Sequence, residues 1–418
     1  MSFLYVNLGP KGNLFGRGTV TVSPAESSVA PKAGLYDSDP STPHIAGSIA
    51  ADSYMRVQTN LVTNGGFETA ALAGWTVGAT GNGITPVATA TAGEFRSGAG
   101  GCELSFSGVP SSTSFIYQDF TVNPGEMVKV SVWLKNTAAG QSLSVSAQIL
   151  QTGKYYDGSA NTWGAYATLG STAATSFTEV TETFAIDTLE NCRFADTVTL
   201  RLTITLSDNN LLGGTAWVDD VLVVPGVTFA SIHGHNYGPV SPLVQSSDDG
   251  SSWTTRATMT IQRPAFYSTF SAIYAEYWQI KLSGTPLEAP YTGEAVLGQY
   301  REGSTQIAAG PMPTWNIPGV RSAGTIGRPM VYNFATDATE SIRLVFSGDS
   351  ETEAREAVFG MFVRSGQGRY PVIIVPTDTE SFVYYGRLMQ PFSLERPALG
   401  IYDWGIDLVG DPFPTVGA

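Results

Sequence analysis

The chain has 418 residues, 42% of them hydrophobic and only 14% charged, with 46 Gly and 24 Pro. That balance excludes a disordered chain and leaves room for several domains with ample cores. A net charge of −14 argues against nucleic-acid binding through phosphates, which needs clustered Lys and Arg, and the acidity reads as solvation of the surface.

Abundant Gly, Pro, Thr, Ser and Val without sustained helical periodicity predict a mainly β protein with many turns. Met1–Gly18 holds Lys11 and Arg17 but no apolar stretch of the kind a signal peptide carries. No run approaches transmembrane length. Synthesis in a cytoplasm without a signal peptide and without membrane insertion is therefore expected. The two cysteines, Cys102 and Cys192, leave two readings open: free buried thiols, which a cytosolic origin favours, or a disulfide formed later.

In chain order, Gly18–Val22 alternates as a strand, and a Pro- and Ser-rich connection leads to L-Y-D-S-D-P-S-T at Leu35–Thr42. A strand-like S-Y-M-R-V-Q-T-N-L-V follows at Ser53–Val62. N-L-V-T-N-G-G-F-E-T at Asn60–Thr69 and G-W at Gly74–Trp75 open a second region, which T-A-W-V-D-D-V-L-V-V at Thr215–Val224 closes. Between them, strands are predicted at Cys102–Ser107, Phe115–Val122, Met127–Leu134, Leu143–Leu150, Thr178–Ala185 and Val198–Leu206. Period-2 alternation with regular turns makes this a β-sandwich.

The stretch Val227–Gln299 predicts a strand at Val227–Ile232, another at Leu243–Ser246 before the turn residues Asp248–Gly250, and two more at Tyr277–Leu282 and Ala295–Leu297. Four strands bury too little to stand alone, so a second sheet must come from elsewhere in the chain. Residues 300–328 read as a linker or arm, because Pro311, Pro313 and Pro318 exclude a central strand. Beyond it, strands are expected at Ile342–Phe346, Tyr370–Pro376, Ser381–Leu388 and Tyr402–Val409. A helix is expected at Thr352–Arg364, with a capping box at Ser350 and Glu353 and a stop at Gly366.

H-G-H-N, the S-S-D-D-G-S-S-W turn, and Y-W-Q-I-K-L-S-G followed by G-E-A-V-L-G resemble the second half of a discoidin-like β-sandwich, in the form found in bacteriophage tail and other virion proteins. In that family L-x-D-x-D-P-S-T and one more strand come directly before the His-Asn strand. Here they are separated by residues 63–225. The resemblance thus implies a split sandwich, residues 1–62 and 226–299, interrupted by an insert. It also offers Asp37 and Asp39 as calcium ligands, against an Asx turn before Pro40.

The insert's own motifs, N-G-G-F-E…G-W, P-G-E-x-V-K-V-S-V-W-L-K and W-V-D-D-V-L-V, resemble carbohydrate-binding-module jelly rolls. That resemblance implies a structural calcium at Glu68 and Asp220, completed by backbone oxygens near Ser97–Gly101; the other reading leaves both carboxylates facing solvent. It also implies glycan binding by aromatic rings and polar groups on a concave sheet. Trp133 lies on the polar face of its strand and is the candidate sugar platform, with Gln148, Tyr155, Tyr156 and Trp163 as companions. Packing of Trp133 under the Tyr155–Tyr166 loop is the competing role. Residues 329–418 resemble small α+β docking domains at the ends of phage tail and baseplate proteins.

Catalysis is not expected. His233 and His235 sit at i and i+2 on one side of a strand with no third ligand near them in sequence, which favours capping of loop backbone over zinc. Glu94, Glu103, Asp119 and Glu126 lie in no motif that marks a glycosidase pair. The expectation for the whole chain is a structural protein of a bacteriophage tail, baseplate or related virion. It would form a homo-oligomer in a symmetric assembly with other virion proteins, its jelly roll projecting outward toward host-surface glycans. The alternatives are a free carbohydrate-binding protein or accessory module of a polysaccharide-degrading system, and a decoration that recognises no glycan.

Overall fold

The computed structural model describes residues 3–7, 12–26, 32–36, 44–69, 72–81, 83–107, 112–137, 141–186, 197–207, 213–237, 240–259, 265–303, 307–316, 319–323, 329–333, 339–349, 361, 371–376, 384–398 and 401–410. Strand predominates among the described residues and helix is scarce there, so the mainly β reading holds. Asp37, Asp39, Cys192 and the caps Ser350, Glu353 and Gly366 lie outside the described residues. Of the expected helix only Met361 is described, as helical and buried.

The chain divides into two compact units. One comprises Met1–Gln58, Val227–Ile273 and Tyr277–Ala418; the other comprises Thr59–Gly226 with Tyr274–Glu276.

In the Thr59–Gly226 unit, two antiparallel sheets enclose one core. The first runs, in hydrogen-bonded order, Thr162–Gly164, Lys154–Asp157, Ser142–Ile149, Val198–Ser207, Thr113–Val122, Thr76–Thr80, and Gly170–Thr172 also pairs with Ser142–Ile149. The second runs Thr178–Ala185, Met127–Asn136, Gly214–Pro225, Gly101–Phe106, Gly83–Thr89. Alternation explains the core: Val128, Val130, Val132 and Leu134 from one sheet share a cluster with Leu143, Val145, Ala147, Ile149, Leu200, Leu202 and Ile204 from the other. Each buried Val, Leu or Ile among them contributes about 1.5–3 kcal/mol. Cys102 joins this core as a free thiol, and burial pushes its pKa far up, so it is inert as a nucleophile.

In the other unit, strands that precede residue 59 are hydrogen-bonded to strands that follow residue 226. Tyr54–Gln58 pairs with Tyr277–Ser283, and His44–Ile45 pairs with Tyr291–Gly298. The five-stranded sheet is ordered Thr254–Thr258, Ser241–Ser247, Tyr277–Ser283, Tyr54–Gln58, Thr19–Ser23. A four-stranded sheet is ordered Ala265–Ile273, Val227–His235, Tyr291–Gly298, His44–Ile45.

A further seven-stranded sheet in this unit runs Arg301–Gly303, Phe3–Asn7, Pro371–Pro376, Tyr384–Ala398, Ile401–Gly410, Thr339–Asp349, Ile307–Asn316. Two expectations change here. Phe3–Asn7 joins strands from the C-terminal region rather than the sheets of residues 226–299. Residues 300–328 are not a plain linker, since they contain Arg301–Gly303, Ile307–Asn316 and the first arm of a Gly319–Ala323/Pro329–Asn333 hairpin. Pro311 and Pro313 are accommodated because Ile307–Asn316 is an edge strand with a register shift between Ala309 and Met312, where missing N–H donors cost little, and Pro318 lies outside the described residues.

The core of this unit holds a polar group. His233 is fully buried, with Nε2 2.9 Å from Ser231 Oγ and its ring 4.7 Å from that of Tyr385. Burial pushes the imidazole down to about 3, with His235 acting in the same direction. Between pH 6.5 and 3 the unfolded chain therefore binds a proton that the folded chain refuses, so this stabilisation is complete above pH 6.5 and declines as pH falls. From pH 7 to 5 the wild type should lose about 2 kcal/mol of unfolding free energy through this group. In urea titrations, His233→Gln should be less stable at pH 7 yet show a shallower pH slope; an equal slope would remove His233 as the cause.

Candidate functional site

The five residues expected to bind sugar do not converge. Trp133 lies on the Met127–Asn136 strand of the five-stranded sheet, whereas Gln148, Tyr155, Tyr156 and Trp163 lie on the other sheet. Within that second group alternation splits the set again. Tyr156 is buried and stacks on Phe184 at 4.5 Å, and Trp163 meets both rings edge-on and donates its indole N–H to Ala185 O at 3.0 Å. Both belong to the core cluster or pack on it. Gln148 and Tyr155 remain on the outer face as cross-strand partners.

Register continues that pair across the sheet. Tyr155 stands opposite Gln148, Gln148 opposite Arg201, and Arg201 opposite Asp119, one row over four strands. Arg201 donates to Asp119 twice, Nε to Oδ1 at 2.7 Å and Nη2 to Oδ2 at 2.8 Å, and its Cζ lies 4.0 Å from the Tyr117 ring centre. The hydrogen-bonded Asp119 is also the leading reason the guanidinium holds its proton more firmly than usual. Side-chain exposures of 29% and 37% make this pair worth little for stability, about 0–1 kcal/mol. Its effect is to fix a planar guanidinium beside an aromatic ring. Tyr166, 80% exposed, leans on Tyr155 at 5.4 Å. Tyr117, Asp119, Arg201 and Tyr166 escape a motif search. Alternation alone places Tyr117, Asp119 and Arg201 outward, but only the register brings them together.

The platform expected at Trp133 is covered. Arg96 Cζ lies 3.7 Å from the Trp133 ring centre, and Arg96 Nη1 binds Asp220 Oδ2 at 2.6 Å. Its backbone is held as well: Asp219 Oδ2 accepts the N–H groups of Arg96 and Ser97 at 2.7 and 3.0 Å. Burial pushes the Asp219 carboxyl up to about 6, against the pull of these backbone N–H donors. A bulge between Asp219 and Leu222, with Asp220 at φ 47°, turns the two neighbouring carboxylates onto one loop. Beside Trp133, Lys135 Nζ lies 4.8 Å from the Trp217 ring centre. Cations thus occupy both tryptophan faces of this sheet.

The same strap bears on calcium. Ala99 N–H donates to Glu68 Oε2 at 2.7 Å, and Ser97 Oγ donates to Asp220 Oδ1 at 2.7 Å. Gly98 takes φ +65°, which favours glycine, and a Cβ there would lie 1.5 Å from Glu68 Oε1 and displace that carboxylate. Glu68 and Asp220 therefore approach the same loop, but donors of the chain itself engage them, one a guanidinium. Among the described residues no group of three or more His, Cys, Asp or Glu is placed to hold a metal.

No curated protein matches the chain. Among solved structures, the chain is similar to a bacteriophage CBA120 tailspike protein 4 enzymatically active domain, at 16% identity and TM-score 0.28, covering 40% of this chain and 21% of that one. It is also similar to the CBM22-1 xylan-binding domain of Paenibacillus barcinonensis Xyn10C, at 13% identity and TM-score 0.26, covering 40% and 95%. A third similarity is to a putative sugar binding protein from Bacteroides thetaiotaomicron, at 15% identity and TM-score 0.29, covering 40% and 99%. The chain thus spans about a fifth of the tailspike chain's length. Scores this low add nothing to the geometry above. Residues 59–205 match the carbohydrate binding domain family.

Proposed function

We propose that the Thr59–Gly226 unit binds glycans on the outer face of its larger sheet. The observation that carries this is the single register row Tyr155–Gln148–Arg201–Asp119, with Tyr117 beneath the guanidinium and Tyr166 against Tyr155. Tyrosine rings offer apolar planes to sugar faces, and the amide and guanidinium edges offer hydrogen bonds to hydroxyls. Asp119 neutralises Arg201, so the row suits uncharged sugars. The family match over residues 59–205 supports the same reading. The role is binding rather than catalysis, in a free carbohydrate-binding protein or an accessory module for polysaccharide.

Residues 63–225 as a jelly roll carried by a discoidin-like sandwich, in a virion tail protein that oligomerises, is the second reading. The direct pairing of Tyr54–Gln58 with Tyr277–Ser283 supports it, together with the order of the motifs. Mass measured alone and with neighbouring virion proteins tests it: a stable monomer that ignores them would end it.

Affinity electrophoresis in neutral polysaccharide gels tests the first reading. Tyr155→Ala should weaken binding about tenfold or more, while Trp133→Ala should retain it. The reverse pattern would move the site to the other sheet. Calcium bound by Glu68 and Asp220 is proposed only as a competitor of Arg96. Wild-type melting should be the same in calcium and in chelator, whereas Arg96→Gln, which frees Asp220, should melt higher with calcium.

A further inference from the structure

The other unit carries a second built face, unlike the first in charge. Across its five-stranded sheet, Thr255, Gln245, Gln279, Arg56 and Thr21 stand in one register row. Their side chains form a directed chain of hydrogen bonds. Arg56 Nη2 donates to Gln279 Oε1 at 3.2 Å, Gln279 Nε2 donates to Gln245 Oε1 at 2.7 Å, and Gln245 Nε2 donates to Thr255 Oγ1 at 2.9 Å. Every amide in the row is thereby oriented, and the row begins at a cation.

That cation meets no carboxylate among the described residues. Arg96 and Arg201 each meet a carboxylate, and Lys281 meets Asp52 at 3.4 Å. Arg56 meets none among the described residues, and its Nε is closed to solvent with no acceptor. Two aromatic rings flank it instead, with Cζ 4.6 Å from the Tyr54 ring centre and 4.4 Å from that of Trp253. Cation–π contacts use the faces of a guanidinium and leave its in-plane N–H edge for an acceptor. Trp253 is held there by its turn: Asp249 Oδ1 accepts the N–H groups of Ser251 and Ser252 at 2.8 and 2.7 Å, which keeps that carboxyl well below the usual range.

We propose that this face binds a carboxylated saccharide, its carboxylate on the Arg56 guanidinium and its ring hydroxyls on Gln245, with the buried Gln279 holding both in place. A carboxylate supplies the counter-charge that no described residue gives Arg56. The half-buried aromatic flanks and the oriented Gln245 amide suit a sugar ring. A protein partner is less well served, because none of the exposed large apolar side chains, Ile49, Ile84, Val87, Leu150, Tyr166 and Leu287, lies on these strands. The site is separate from the Tyr155 row, where Asp119 already takes the guanidinium.

Calorimetric titration of the full chain with trigalacturonate and with its methyl ester tests the proposal. Wild type should bind the acid and lose about tenfold or more on esterification, the range expected for a charged hydrogen bond. Arg56→Gln should lose as much for the acid, and Trp253→Ala, at a surface turn, should weaken it without disturbing the core. Tyr155→Ala should leave acid binding unchanged while weakening neutral glycans. The proposal falls if wild type does not bind the acid, if acid and ester bind alike, or if Arg56→Gln at wild-type melting temperature binds as wild type does. It also falls if Tyr155→Ala abolishes acid binding, or if polyglutamate competes as well as the sugar acid.

Discussion

The register of the Val198–Ser207 strand between Ser142–Ile149 and Thr113–Val122 is the constraint on which the binding face depends. Side chains alternate with a period of two, so a slip of one residue would exchange Leu200, Leu202 and Ile204 for Arg201 and Thr203 in the core. The burial of those aliphatic residues therefore holds the row of Tyr155, Gln148, Arg201 and Asp119 in place. No side chain in the row needs to contribute stability of its own. The polar face is positioned by the apolar one behind it.

On the opposite sheet the same pleat yields another outcome. Trp133 and Trp217 point outward, as sugar platforms would, but Arg96 and Lys135 lie over them. The difference lies in the loops. Glu68, Asp219 and Asp220 gather the 96–99 segment against the sheet, and the strap that results brings its guanidinium with it. A tryptophan on a polar strand face is thus an open platform only when no cation on a neighbouring loop is tethered above it.

Strands with clear alternation were legible from sequence. Met127–Leu134, Val198–Leu206 and Thr178–Ala185 are found close to where they were expected. Short strands such as Thr162–Gly164 and Gly170–Thr172 carry too few residues to show a period. The Ile307–Asn316 strand was hidden by prolines that an edge position tolerates. For the candidate site, the sequence names Gln148, Tyr155, Tyr156 and Trp163 together, but alternation leaves only Gln148 and Tyr155 on the outer face and turns Tyr156 and Trp163 toward the core. Arg201 and Asp119 are 82 residues apart, and pairing over that distance has no local signal.

Phe3–Asn7 lies between Arg301–Gly303 and Pro371–Pro376. During synthesis on a ribosome Phe3–Asn7 must wait for Arg301–Gly303 and Pro371–Pro376 before its sheet can form. Until then it presents two bare hydrogen-bonding edges, which other nascent chains can pair with. Pairing across a loop of that length costs more chain entropy than the local pairings do. Removing residues 3–7 would leave a gap inside the sheet rather than a trimmed end. An N-terminal fusion partner would have to be compatible with a strand that is interior to its sheet.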